Sequence, residues 1–169
     1  RGHLTSVCDD QQGGIWVGTG SGQLIHLDAD GRRTFTATIG VPGAQARVLY
    51  LDSRSNLWVG CFPNRLFCVP FGEENRLREL TATNFRHFTI TAITEDQDGR
   101  IWVGTTGGEV HRQEGAGNRF VTYGQNAGLP GTPIGSLLSS RDGALWIGTL
   151  GGGLGSIPKN GSRFIPAPP

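Results

Sequence analysis

Four stretches decide the fold: GGIWVGTGSGQLIHL (13–27), SNLWVGCFPNRLFCV (55–69), GRIWVGTTGGEVHRQ (99–113) and GALWIGTLGGGLGSI (143–157). They hold the only tryptophans of the chain, Trp16, Trp58, Trp102 and Trp146, and they align without a gap. Two residues after each Trp stands a glycine (Gly18, Gly60, Gly104, Gly148). Eight residues after it stands an aliphatic residue (Leu24, Leu66, Val110, Leu154). A period of about 40 to 45 residues is the signature of a stacked repeat, in which one unit cannot bury its apolar faces alone.

Outward from each block the same elements recur. Upstream lies an apolar run, LTSVCDD, RVLYLDS, ITAITED or IGSLLSS; downstream lies a short segment, RRTFTAT, RLRELTA, RFVTYG or RFIPAP. Each unit thus offers four short strands, A to D, with B the tryptophan strand. Turns separate them: Asp96 to Gly99 or Arg141 to Gly143 between A and B, and Ser21-Gly22, Pro63-Asn64, Gly107-Gly108 or Gly151-Gly152 between B and C. The B strands are apolar at consecutive positions, so both faces are covered, as when sheet packs on sheet. Four-stranded sheets repeated at this period predict an all-β fold, a β-propeller array of four antiparallel blades spanning about 3–38, 46–83, 89–123 and 133–167, with essentially no helix.

Composition agrees. Of 169 residues 28 are Gly and 9 are Pro, and 36% are hydrophobic, enough punctuation to oppose helices and enough apolar mass for a core. The net charge is +1 with no basic run, which speaks against a nucleic-acid partner. No apolar stretch approaches membrane-spanning length, and RGHLTSV lacks the regions of a signal peptide. A chain that begins at Arg1 and contains no Met reads as a segment of something longer.

These repeats resemble the two-component regulator propeller repeat of extracytoplasmic sensor regions in bacterial hybrid histidine kinases. Residues 90–110, ITAITEDQDGRIWVGTTGGEV, carry that pattern almost throughout, as does the lead-in YGQNAGLPGTPIGSLLSS from Tyr123 to Ser140. The resemblance implies a non-catalytic sensor or ligand-binding module, outside the cytoplasm in the periplasm or extracellular space, recognising a small-molecule or oligosaccharide ligand with no cofactor. A protein-interaction scaffold and a propeller lyase are the alternatives. Unit 2 departs most from the pattern, with Arg54-Ser55 at the A-to-B turn and a longer tail.

The conspicuous residues have structural readings. The tryptophans occupy one register and are expected between blades, their Nε1–H groups donating to carbonyls. The glycine-rich turns precede no helix and so are not phosphate loops. Asp96 and Asp98 are expected to cap a turn rather than hold calcium, and no metal site is read. His26 and His111 fall on C strands and are expected in solvent. Cys61 is expected opposite Leu66 and diagonal to Cys68, unfavourable for a disulfide, with Cys8 as a buried filler.

Loops joining D to A and B to C share one face of a propeller, and ligands bind there by default. That rim holds Gln45, Arg47, Asn64, Arg65, Arg86 and His87 as candidate ligand residues, with Asn84, Gln125, Asn126 and Thr132 nearby. Arg47 and Arg86 stand out because a guanidinium can hold a carboxylate or sugar hydroxyls bidentately. Four units in register leave two end blades with apolar faces, so self-association through the end blades is expected. A closed four-bladed ring and a piece of a larger propeller are the other two possibilities.

Overall fold

The computed structural model describes residues 3–40, 43–73, 76–80, 88–115 and 117–168. It contains four four-stranded antiparallel sheets, each a meander whose spatial order is its chain order. Blade 1 comprises β1 (Leu4–Asp9), β2 (Ile15–Thr19), β3 (Gln23–Leu27) and β4 (Arg33–Thr38). Blade 2 comprises β5 (Gln45–Leu51), β6 (Leu57–Phe62), β7 (Arg65–Val69) and β8 (Arg78–Leu80). Blade 3 comprises β9 (Ile90–Glu95), β10 (Ile101–Thr105), β11 (Val110–Glu114) and β12 (Arg119–Tyr123). Blade 4 comprises β13 (Ile134–Ser139), β14 (Leu145–Thr149), β15 (Gly153–Ile157) and a two-residue β16 (Ile165–Pro166). Among the described residues the only helical element is a 3-10 turn, Gln125–Ala127.

The chain forms two compact units, Arg1–Thr81 and Ala82–Pro169, of two blades each. In both, the front face of the first blade packs on the rear face of the second. The front face carries the Trp, the Gly two residues on and the aliphatic residue eight residues on. In the first unit Trp16 and Leu24 share a core with Ala46, Leu49, Leu57 and Val59. In the second, Trp102 and Val110 share one with Ile134, Leu145 and Ile147. The glycine two residues after Trp is required by the closeness of this packing. A Cβ at Gly18 would lie 2.8 Å from Ala46 Cβ, and one at Gly104 would lie 2.6 Å from Ile134 Cγ2.

The A-to-B turn shows why units 1 to 3 carry an aspartate six positions before the Trp, where unit 4 has Ser140. Asp52 Oδ1 accepts from the amides of Arg54 and Asn56 at 2.9 and 2.8 Å. Asp96 Oδ1 does the same with Asp98 and Arg100, at 3.0 Å each, and Asp10 Oδ1 with Gln12 and Gly14 at 2.8 and 2.7 Å. The chain then needs positive φ three residues before the Trp, where Gly13, Gly99 and Gly143 stand at +92°, +73° and +84° and Ser55 at +61°. The capping role expected of Asp96 is therefore seen.

Three expectations about single residues are corrected. The indole donors of Trp58 and Trp102 reach the carboxylates Asp52 Oδ2 and Asp96 Oδ2, both at 2.8 Å, not carbonyls, because the turn aspartate has one oxygen left after capping. His111 is fully buried, with Nδ1 3.0 Å from Thr122 Oγ1, and His26 is held between Asp10 and Thr34. Cys61 lies opposite Arg65 rather than Leu66, and Cys68 opposite Trp58. The two cysteines therefore point from opposite faces of blade 2, and all three cysteines are free thiols. Burial pushes the Cys61 and Cys68 thiols up to about 12. Cys8 is half-buried, beside Trp16 in the ladder, not deep in the core.

Candidate functional site

Each innermost strand carries a β-bulge near its start, where the register skips one residue: between Leu4 and Ser6, Ala46 and Val48, Ile90 and Ala92, and Ile134 and Ser136. The skipped residues are Thr5, Arg47, Thr91 and Gly135. A bulge turns its extra side chain out of the ladder. Thr5 uses this to donate its hydroxyl to Ala46 O. Blade 2 alone places a charge there. Arg47 is exposed, its Nε and Nη2 donate to Gln45 Oε1 at 3.3 and 3.1 Å, and its Cζ lies 5.8 Å from the centre of the Phe62 ring. Phe62 is 42% exposed. The result is a guanidinium steadied by an amide and an aromatic face, with its remaining N–H donors free to meet a ligand.

Of the other rim candidates, Arg65 is turned away. Its Nη1 pairs with Glu79 Oε1 at 2.5 Å across to β8, toward the outer edge of the blade. Asn64 is explained by its turn: it adopts φ +40° where Gly22 and Gly108 stand at +75° and +77°. The structure thus brings Gln45 and Arg47 together, adds Phe62, and leaves Asn64 and Arg65 apart from them. Arg86, His87 and Asn84 lie outside the described residues. In the second unit Gln125 and Asn126 sit in the 3-10 turn beside an open cleft of about 780 Å³, also lined by Glu109 and Arg163.

Sequence reading missed two parts of this region. The bulge leaves no mark in an isolated strand, because the extra residue shows only against its partner's register. Phe62 was legible as an aromatic residue where the sister units have Gly20, Thr106 and Leu150.

The two-component regulator propeller family model matches residues 89–107 and 128–151. Blades 3 and 4 carry two-component regulator propeller repeats. The repeat supplies the strand A, acidic turn and tryptophan strand seen in both. Among solved structures the chain is similar to a streptogramin B lyase, with 18% identity, a TM-score of 0.81 and coverage of 98% of this chain and 55% of that one. It is similar also to a catalytically inactive virginiamycin B lyase from Staphylococcus aureus crystallised with quinupristin, at 20% identity and TM-score 0.83, covering 99% and 56%. The extracellular domain of a hybrid two-component system from B. thetaiotaomicron matches at 24% identity and TM-score 0.78, covering 98% of this chain and 22% of that one. At these identities the likeness is one of fold. The chain spans about half the length of the lyases and about a fifth of the two-component domain. A search of curated proteins gives no match. No helix among the described residues is long and apolar enough to cross a membrane.

Proposed function

We propose that this chain is a non-catalytic, ligand-binding propeller segment of a two-component sensor, acting in the periplasm or outside the cell. The observation that carries the reading is Arg47, an exposed guanidinium on the bulge of β5, braced by Gln45 and lying over Phe62. That arrangement suits a ligand with a carboxylate, a sulfate or vicinal hydroxyls, which two N–H donors can engage side by side, and the exposed aromatic face suits the apolar face of a sugar ring. Its family repeats and the extracellular two-component domain of the same fold support the signalling context. Self-association through the end blades is part of the same proposal, with apolar faces left open on blades 1 and 4.

The test is titration of the chain with acidic and sulfated oligosaccharides, followed by tryptophan fluorescence, for the parent and for Arg47→Ala. A saturable change that weakens at least about tenfold in the variant, with stability altered by less than about 0.5 kcal/mol, supports the reading. Equal affinity in both removes this rim from the site. A second reading, a lyase, is favoured by the likeness in fold to the two lyases. It predicts consumption of quinupristin by the chain. Binding only to a protein partner would point instead to a scaffold.

A further inference from the structure

At the opposite end of the blades from Arg47, the first unit encloses a cleft of about 500 Å³ between blades 1 and 2, within the size range of small-molecule sites. Blade 1 lines it with Asp10, Trp16, His26 and Phe35, and blade 2 closes it with Leu57 and Phe71 among others. What sets this cleft apart is the hydrogen bonding of its tryptophan. In blades 2 and 3 the indole N–H donates to the second oxygen of the turn aspartate. In blade 1 that oxygen, Asp10 Oδ2, accepts instead from His26 Nε2 at 2.8 Å. The His26 ring lies on the indole at 4.5 Å between centroids, and its Nδ1 meets Thr34 Oγ1 at 2.6 Å. Trp16 is 7% exposed and makes no hydrogen bond among the described residues. Its indole N–H is not sealed from solvent, so it is served by water in the cleft, which a ligand oxygen can replace.

The second unit shows the same position filled. Arg112 occupies the register of His26, and its Cζ lies 5.6 Å from the ring centres of both Trp102 and Tyr123. There the indole is bonded to Asp96. Among the three blades that have a turn aspartate, the spare indole donor therefore belongs to blade 1.

The walls also select charge. Asp10 already accepts three hydrogen bonds, from Gln12 N, Gly14 N and His26, so it offers little to a cation, while its charge repels an anion. Neither Lys nor Arg lines the cleft. Phe35 stands edge-on to Trp16 at 5.5 Å, and Phe71, 64% exposed, stands at the mouth. We infer that this cleft binds a small, uncharged aromatic molecule bearing a carbonyl or phenol oxygen, which accepts from Trp16 Nε1 while its ring packs between Phe35 and Phe71. The site is separate from the Arg47 rim.

Acetanilide is a suitable probe: flat, neutral and equipped with one carbonyl. In the nitrogen-15-labelled chain the four indole N–H resonances are followed during titration, with Trp16→Phe identifying the Trp16 peak. The expected result is a saturable shift of that peak while those of Trp58 and Trp102 stay in place. Phe71→Ala, a change at an exposed position that leaves the fold intact, weakens the titration at least about fivefold. Arg47→Ala leaves it unchanged, so this site and the rim are read separately. A Trp16 peak that does not move at millimolar acetanilide, indole peaks that all move together, or a Phe71→Ala titration equal to the parent's would each overturn the assignment.

Discussion

Asp96 Oδ2 accepts the indole N–H of Trp102 at 2.8 Å while Asp96 Oδ1 accepts the amides of Asp98 and Arg100, so one carboxylate ties the turn to the blade's largest core side chain. Asp52 and Trp58 repeat the arrangement. Replacing Asp52 or Asp96 by Ala strands a nearly buried indole donor together with two turn amides, and should cost about 2 to 4 kcal/mol in urea unfolding. Trp102→Ala should cost about 3 to 5 kcal/mol by leaving a cavity between blades 3 and 4. A loss under about 1 kcal/mol in either case would mean that the turn and the core are not coupled. The pH dependence has a fixed sign. Burial alone would raise the Asp96 carboxyl, but the hydrogen bonds from Trp102 and Arg100 and the Arg100 charge outweigh it and hold the carboxyl below the usual aspartate range. Its contribution is present above the unfolded pKa and is lost as pH falls through the folded one.

Ser55 should tolerate glycine better than serine. It stands at φ +61° where the other three blades have glycine, and a left-handed non-glycine residue costs about 1 to 2 kcal/mol. Set against the greater freedom that glycine gives the unfolded chain, Ser55→Gly should stabilise by about 1 kcal/mol. The reverse change, Gly99→Ala at +73°, should destabilise by a similar amount. A urea midpoint that falls in Ser55→Gly would show that the hydroxyl makes a contact worth more than the strain.

The repeat made the blades legible, because tryptophan, glycine and aliphatic positions recur at fixed spacing and each spacing has a packing cause: Gly18 must clear Ala46, and Leu24 must reach the neighbouring sheet. What stayed hidden depended on partners outside the repeat unit. His111 looks like any polar residue on an outer strand, and its burial follows only from the ladder that places Thr122 beside it. His26 likewise gains meaning only when Asp10, sixteen residues earlier, is seen to reach it. Arg47 was legible as a candidate, but its bracing by Gln45 and Phe62 depends on the bulge in the register of β5 with β6.

His111 should make the fold acid-sensitive in its own window. Burial of the ring lowers its pKa from 6.5 to about 4, although Glu109 Oε2 at 3.7 Å from Nε2 favours the cation. The unfolded chain therefore takes up a proton before the folded one does. Stability is complete above about pH 6.5 and falls as pH drops toward 4, by about 3 kcal/mol in all. His111→Gln should flatten the stability profile between pH 4.5 and 6.5 while keeping the steeper loss below pH 4 that the aspartates cause. A parent profile that is already flat across that window would show that the ring protonates without cost.

The end faces lead to the last prediction. The position eight residues after the Trp is fully buried in Leu24, Leu66 and Val110, yet Leu154 is 50% exposed, and on the same face of blade 4 Leu138 is 63% exposed. The rear face of blade 1 is open as well: Leu4 and Val7 are 69% and 65% exposed, where their counterparts in blade 2, Ala46 and Leu49, are 0% and 9%. Rear and front are the two halves of the contact that blades 1 and 2 make inside the first unit, so the front of blade 4 in one copy has the shape class of a partner for the rear of blade 1 in another. Such a contact is heterologous, and either face alone is sufficient to block it when altered. Micromolar solutions should scatter light as particles heavier than the 18.0 kDa chain. Val7→Asp and Leu154→Asp, each at an exposed position and so mild for the fold, should each lower the mass toward that of one chain. A monodisperse 18.0 kDa particle that binds no apolar dye would defeat the association and point to faces satisfied within a single molecule.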